Sequence, residues 1–535
     1  MSLVGVWKMT YSFVYMLCSD HHYELKSLSM KVILLFILSL ASTPTMSISG
    51  SIQQPTEHTS LVQHPAVDSL KSLQLDLDRI FSNPAFRHAQ WGVEVFSIDR
   101  SEMFYEKDSL RLLIPASNNK IITAAVALMR LGPEYRFETR IMTDGEIVNG
   151  ILRGNLLIVS AGDPSHSSQF QSEDPFGLFG NWAEKLKDLG VRAIEGDIIG
   201  DGGAFDGVSF GHGWEWEDLT HSYAAPVSAF QFNDNMLALR IAPASKEGGA
   251  ASIDILPLED FLKINNSVVT EARGTRPFIQ IKRGNSNDAI AVSGSVPLNG
   301  KALIRNISVP SPILYYMSAL KHTLSEEGID TSTCGLREMR VYNSASLFPL
   351  WSHSSPALSE ILKPLMKESE NLYAETLTRT LGLVFGQKGT FSEGKGIVED
   401  TLGQIGIEAE SYSYADGSGL SRLNLVSADV LVRILRAMYE HRHFVPFYQA
   451  LSIAGVDGTL ENRMKGKRAE NNLHAKTGTI SNASAISGYL YTADGEMLAF
   501  SIMVNNYLES RKQAEFLQDK AIERLANFSR NGESR

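Results

Sequence analysis

Pro115-Ala116-Ser117-Asn118-Asn119-Lys120 runs directly into residues 121–131, an unbroken helix-forming stretch that Gly132 and Pro133 bring to a stop. On this reading Ser117 opens a helix. Residues three apart share a helix face, so Lys120 lies one turn behind the Ser117 hydroxyl. A neutral lysine amine in that place can take the serine proton. Burial, the positive helix N-terminus and a second nearby cation are the means of depressing the lysine pKa far enough. The helix start also offers backbone N–H groups for an oxyanion. Alone, Ser-x-x-Lys is common, and a serine at a helix start ordinarily does no more than cap it.

Two further segments change that balance. Ser369-Glu370-Asn371 precedes a helical run at residues 372–383, and brings a hydroxyl and an amide able to relay a proton and hold a peptide bond. Lys476-Thr477-Gly478, followed by Thr479, sits on a strand-like run near the C-terminus. There a cation and a hydroxyl can hold a carboxylate, and the glycine lets a ligand backbone come close. Each segment alone reads as a helix cap or a strand end, but the three in this order are a specific signal.

The elements around them come from both ends of the chain. Helical periodicity at 67–81 precedes strand-like runs at 91–98 and 103–105. Runs at 473–480, 485–491 and 497–505 mirror them, with an Asp494-Gly495 hairpin turn and a helix over 508–528. The expected fold class is α+β: an antiparallel sheet assembled from the two ends with helices on its face, and a long insertion in the middle. The insertion, residues 141–355, carries short strand runs such as 156–160, 278–282 and 289–292. Two helices are expected in it, at 181–189 and 312–326, and one or two β-rich domains. The division is therefore a leader at 1–49, a main domain from 50–140 and 356–535, and the insertion.

Ser-x-x-Lys, Ser-x-Asn and Lys-Thr-Gly together form the signature of the penicillin-binding proteins and class A β-lactamases. The chain resembles the class C low-molecular-mass penicillin-binding proteins, the D-alanyl-D-alanine carboxypeptidase/endopeptidases. Gly162-Asp163-Pro164, Asp416-Gly417-Ser418-Gly419-Leu420-Ser421-Arg422-x-Asn424 and Gly455-x-Asp457-Gly458-Thr459-Leu460 extend the likeness over residues 66–530. The resemblance implies a serine transpeptidase/β-lactamase-like domain in which Ser117 is acylated and Lys120 is its base. Ser369 and Asn371 would assist proton transfer and placement, and Lys476, Thr477 and Gly478 would hold the substrate carboxylate. The backbone N–H groups of Ser117 and Thr479 would form the oxyanion hole. Gly213-Trp214-x-Trp216-x-Asp218 resembles the family segment whose aspartate holds the free amine of a diaminopimelate side chain. Tyr223 would flank that pocket, and both tryptophans read as packing residues. Arg422 is either a substrate ligand or half of a structural ion pair. Ser481 departs from relatives with a longer amide side chain there.

The implied partners are peptidoglycan stem peptides, with β-lactams as covalent inhibitors, and the implied activity is D-Ala-D-Ala carboxypeptidase or DD-endopeptidase. Glu370 stands where aspartate is commoner, and no glutamate motif of the class A deacylating type is found, which argues against an efficient β-lactamase. A β-lactamase or esterase using the same serine and a binding-only wall protein remain the alternatives.

Bulk properties agree. The 535 residues, 43% hydrophobic and 20% charged, suit an enzyme of two or three domains. A formal charge of -11 gives no footprint for nucleic acid. Neither cofactor nor metal is expected: no cluster of cysteines, which are Cys18 and Cys334, and histidines has zinc spacing, and the thirteen histidines include no His-Glu-x-x-His. Lys31, the apolar run 32–41 and the small residues 47–50 have the layout of a signal peptide at about 30–49, too short for the roughly 20 residues of a bilayer span. An exported, periplasmic or otherwise extracytoplasmic protein is expected.

Overall fold

The computed structural model describes residues 69–171, 174–283, 289–340 and 347–530. The expected leader and signal peptide, and Cys18, lie outside the described residues. At the centre is a six-stranded sheet. Its order is Ser452–Ile453, His474–Ile480, Ala483–Tyr491, Met497–Asn505, Gln90–Ser97 and Glu102–Lys107. Every pairing in it is antiparallel. The last long strand of the chain thus lies between the first strand and the strand that precedes it, which joins the two ends as the alternating sequence pattern suggested.

Met497–Asn505 is buried along its whole length, so both faces of the sheet must be covered. The period of two divides its side chains cleanly. Leu498, Phe500, Ile502 and Val504 pack with Leu73, Leu77 and Phe81 of helix Leu70–Phe81 and with Leu517 and Leu525 of helix Arg511–Ala526. Ala499 and Met503 face the other way, into the core built around helices Asn119–Leu131 and Ala428–Glu440. Helix starts are set by local chemistry: Ser69 accepts from the Ser72 N–H, and Ser510 and Gln513 form a reciprocal capping box.

The middle of the chain forms further sheets. One has five strands in the order Leu336–Met339, Ile198–Asp201, Leu156–Ser160, Glu138–Thr143 and Phe348–Ser354. Its first two pairings are parallel and its last two antiparallel. Helices Gly177–Asp188 and Pro312–Glu326 are the two α-helices expected in this region. Two three-stranded sheets follow: Ser252–Leu256, Met236–Ala242 and Leu303–Ser308 in one, and Lys263–Glu271, Ala289–Pro297 and Phe278–Arg283 in the other. The fold is α+β with helices packed on an antiparallel sheet, as the sequence led us to expect.

Replacing Phe500, fully buried in the central strand, by alanine should cost about 3–5 kcal/mol of stability. Chemical denaturation of the two proteins measures this as a lowered midpoint at unchanged slope.

Candidate active site

The Ser117 segment differs in one respect from its sequence reading. Ser117 does not open the helix: residues Ala116–Asn118 form a short 3-10 turn, and the α-helix begins at Asn119. Ala116 has φ 47°, an uncommon left-handed conformation for a residue with a Cβ. The turn diverts the chain just before the helix, and neither helix start carries a side-chain cap. The serine hydroxyl is therefore not consumed in capping. Two glycines press on the turn. A Cβ at Gly419 would collide with the Ala116 carbonyl oxygen. One at Gly478 would stand 2.5 Å from the Pro115 oxygen and 3.0 Å from the Ser117 nitrogen. Only glycine permits the strand His474–Ile480 and the 416–424 loop to close on the turn from two sides. Below it, Asn118 Nδ2 donates to Ser487 Oγ at 2.7 Å, and Ser487 Oγ donates to Ser501 Oγ at 2.9 Å, which ties the turn to two central strands.

Lys120 is completely buried. Its Nζ donates to Ser117 Oγ at 3.0 Å, Asn371 Oδ1 at 2.6 Å and the Ser418 carbonyl at 2.8 Å. Three acceptors are the full complement of an ammonium. Burial still lowers the Lys120 pKa to about 8, against the opposing pull of Asp416, Glu375 and Glu370. Those carboxylates are held firmly. Asp416 accepts from Gly419 N, Asn424 Nδ2, Ser421 N and Trp214 Nε1. Glu375 accepts from the backbone N–H groups of Gly417 and Ser418, and burial together with Asp416 raises its pKa to about 7.

Ser369-Glu370-Asn371 forms the facing wall. Ser369 is left-handed at φ 67°, and Asn371 begins helix Asn371–Phe385. Asn371 works in two directions, since its oxygen accepts from Lys120 while its Nδ2 donates to the Tyr223 carbonyl at 2.8 Å. Burial and the neighbouring Asp234 push Glu370 up to about 8; Asp234, itself raised to about 6 by burial, accepts from the Tyr373 hydroxyl at 2.9 Å.

Lys476 is also fully buried, on strand His474–Ile480, and donates to the Thr477 carbonyl at 2.8 Å. Burial and the charge of Lys120 hold its pKa well below the usual lysine range. Thr477 Oγ1 donates to Thr459 Oγ1 at 2.7 Å, which joins the Gly455–Leu460 segment to the site. Thr479 follows Gly478 on the same strand, opposite Ser484. Ser117, Ser369, Asn371, Thr477 and Thr479 keep some exposure while both lysines have none. The hydroxyls are thus accessible, and the lysine amines behind them are screened from water.

The structure brings Asp218 and Tyr223 to the same edge, with the Tyr223 hydroxyl donating to Asp218 Oδ1 at 2.8 Å and the ring stacked on His221. Arg422 donates to the Ser481 carbonyl at 2.9 Å, and among the described residues it makes no ion pair, so the structural ion-pair reading is set aside. The tryptophans divide. Trp214 bonds to Asp416, but Trp216 is 78% exposed and is not a packing residue, because the short turn Trp216–Thr220 turns it to solvent. Glu375, Asp234 and Tyr373 were missed. Glu375 stands four residues after Asn371, on the same helix face, and that spacing could have found it. Asp234 is brought in from a left-handed run, Asn233 to Asn235, that no local pattern connects to Ser369.

With this geometry in hand, comparison with known proteins is informative. Residues 73–527 match the D-Ala-D-Ala carboxypeptidase 3 (S13) family. A D-alanyl-D-alanine carboxypeptidase of Actinomadura sp. (strain R39) is 33% identical over 473 residues, 86% of this chain and 85% of the relative. The D-alanyl-D-alanine carboxypeptidase DacB of Haemophilus influenzae is 27% identical over 439 residues, 79% and 88% of the two chains. The crystal structure of penicillin binding protein 4 (dacB) from Haemophilus influenzae superposes with a TM-score of 0.73 at 25% identity, covering 84% of this chain and 98% of that one.

Gly478→Ala, which sets a methyl against the Pro115 oxygen and the Ser117 nitrogen, should cost about 1–3 kcal/mol of stability as strand and turn are pushed apart. Chemical denaturation of the two proteins measures it.

Proposed function

The chain belongs to the D-Ala-D-Ala carboxypeptidase 3 (S13) family, and within that serine peptidase activity we propose that Ser117 is the acylated residue and Lys120 its base. One observation carries this assignment: Lys120 Nζ, buried and with a lowered pKa, sits 3.0 Å from Ser117 Oγ and 2.6 Å from Asn371 Oδ1. With a pKa of about 8, roughly a tenth of Lys120 is neutral at pH 7, enough to act as a base without leaving its place.

In the proposed cycle the Ser117 oxygen bonds to the carbonyl carbon of the penultimate D-alanine and its proton passes to Lys120. The carbonyl oxygen becomes an oxyanion held by the backbone N–H groups of Ser117 and Thr479. Collapse breaks the peptide bond, and the departing amine of D-alanine, or of a cross-linked stem, takes a proton through Ser369 and Lys120. Water then cleaves the ester, returning the free acid and the Ser117 hydroxyl. Lys476 binds the substrate carboxylate with Thr477 beside it and Gly478 giving it room. Burial disfavours the Lys476 cation in the free enzyme, and an arriving carboxylate restores it, so binding brings a proton with it. Asn371 orients the scissile amide. Asp218 and Tyr223 meet the free amine of the stem side chain, and Arg422 supports the end of the Lys-Thr-Gly strand through Ser481.

This reading makes β-lactams covalent inhibitors that react at Ser117. Residues 50–140 and 356–535 are its catalytic part and 141–355 its insertion. The enzyme acts outside the cytoplasm, where its substrate lies and where a leader at 30–49 would direct it. Among the described residues no helix is long and apolar enough to cross a membrane.

Benzylpenicillin should add a single covalent adduct to the protein, seen by intact mass, and none to Ser117→Ala. No adduct on folded protein, or one that survives the substitution, would overturn the assignment. The acylation rate constant should climb about tenfold per pH unit below pH 8 and level off above it, because only neutral Lys120 accepts the serine proton. Stopped-flow rates from pH 6 to about 9.5 measure the profile, and a flat one would remove Lys120 as the base.

A further inference from the structure

A second polar cluster is buried away from Ser117. Asp163 follows strand Leu156–Ser160, His166 lies three residues on, and His353 comes from strand Phe348–Ser354 of the same five-stranded sheet. Their side chains are 0%, 1% and 20% exposed. Asp163 Oδ2 stands 3.3 Å from His166 Nε2 and 3.8 Å from His353 Nε2, and one ligand atom from each of the three residues lies within 4.8 Å of the others. Asp163 Oδ2, both ring nitrogens of His166 and His353 Nε2 have no hydrogen-bond partner among the described residues. Buried polar atoms in that condition are costly and call for an explanation.

We propose that Asp163, His166 and His353 form a structural site for a divalent transition metal, zinc in the first place. Zinc binds imidazole nitrogen and carboxylate oxygen at about 2.0–2.2 Å, so tetrahedral ligand atoms stand about 3.3–3.6 Å apart. The two separations from the aspartate oxygen, 3.3 and 3.8 Å, lie close to that span, and the three ligand atoms all fall within 4.8 Å of one another.

The surroundings are those of a ligand held for a metal. Asp163 Oδ1 accepts from both the backbone N–H and the hydroxyl of Ser165, at 2.8 and 2.7 Å, which turns the other oxygen towards the histidines. Rings of Phe179, Trp182 and Tyr316 pack around His166. Those walls leave no place for a substrate, and water at the partly exposed His353 side completes the coordination. The site is a clamp. The His166 carbonyl accepts from Asn233 N at 2.9 Å, and the Ser167 hydroxyl meets the Tyr373 hydroxyl at 3.3 Å, two residues beyond Asn371. A metal here would pin the segment after Leu156–Ser160 between the inserted sheet and the helix that carries Asn371. The sequence hid it because Asp163-x-x-His166 is far from His353 along the chain and matches no contiguous zinc motif.

The test uses the full chain, stripped with a chelator and titrated with Zn2+ and with Co2+. About one equivalent of zinc should bind, Tm should rise by about 5 °C, and Co2+ should give the intense visible bands of a tetrahedral nitrogen/oxygen site. His353→Gln should lose the zinc-dependent rise while keeping the wild-type far-ultraviolet circular dichroism spectrum and a cooperative thermal transition, which shows that it folds. No zinc uptake by the wild-type chain, or equal uptake by the variant, would overturn the proposal. Should the variant fail to fold, the wild-type Co2+ spectrum decides, since an octahedral, water-like spectrum rejects the site. None of these outcomes depends on whether Ser117 is the acylated serine.

Discussion

The site depends on hiding an ammonium-bearing side chain from water directly behind a serine. Taking a lysine out of solvent costs several kcal/mol unless its donors are met and opposing charge is near. Here all three donors have acceptors, and Asp416, Glu375 and Glu370 supply the opposing field. The balance is deliberately incomplete: burial outweighs attraction, and the pKa falls to about 8 rather than staying at the solution value. A surface lysine would be almost wholly protonated and useless as a base, whereas one buried without carboxylates would destabilise the fold.

Much of the remaining architecture follows from that balance. Asp416 braces the 416–424 loop by accepting from four donors, and in this arrangement the Ser418 carbonyl meets Lys120. Glu375 braces the same loop from the helix that begins at Asn371. The inserted region reaches the site through Trp214, which bonds to Asp416, and through the Tyr223 carbonyl, which receives Asn371. Residues 214–223 are therefore in direct contact with the groups around Lys120.

The sequence carried a large part of this plainly. Met497–Asn505 was readable to the residue because a strand buried on both faces is a nearly continuous apolar run, here interrupted only by Ser501 before it ends at Asn505. The three short motifs were legible because each sits at the start of an element or on a strand, where local chemistry decides its place. Harder to see was the 3-10 turn before Asn119, which depends on a left-handed Ala116 imposed by tertiary contacts with Gly419 and Gly478. Likewise, nothing near Ser369 in sequence announces Asp234, and nothing in a Trp-x-Trp pattern tells which ring is covered. Pairings between distant segments are set by packing in three dimensions, and a one-dimensional pattern does not record them.

The order of strands in the central sheet also has a consequence in time. The serine lies early in the chain and Lys476 late, and strand Met497–Asn505 must slip between Gln90–Ser97 and Ala483–Tyr491 before the sheet exists. Until that strand is in place, Gly478 has no fixed position against the turn that carries Ser117. The contact that shapes the Ser117 turn is thus made only when segments from both sides of the sheet have paired.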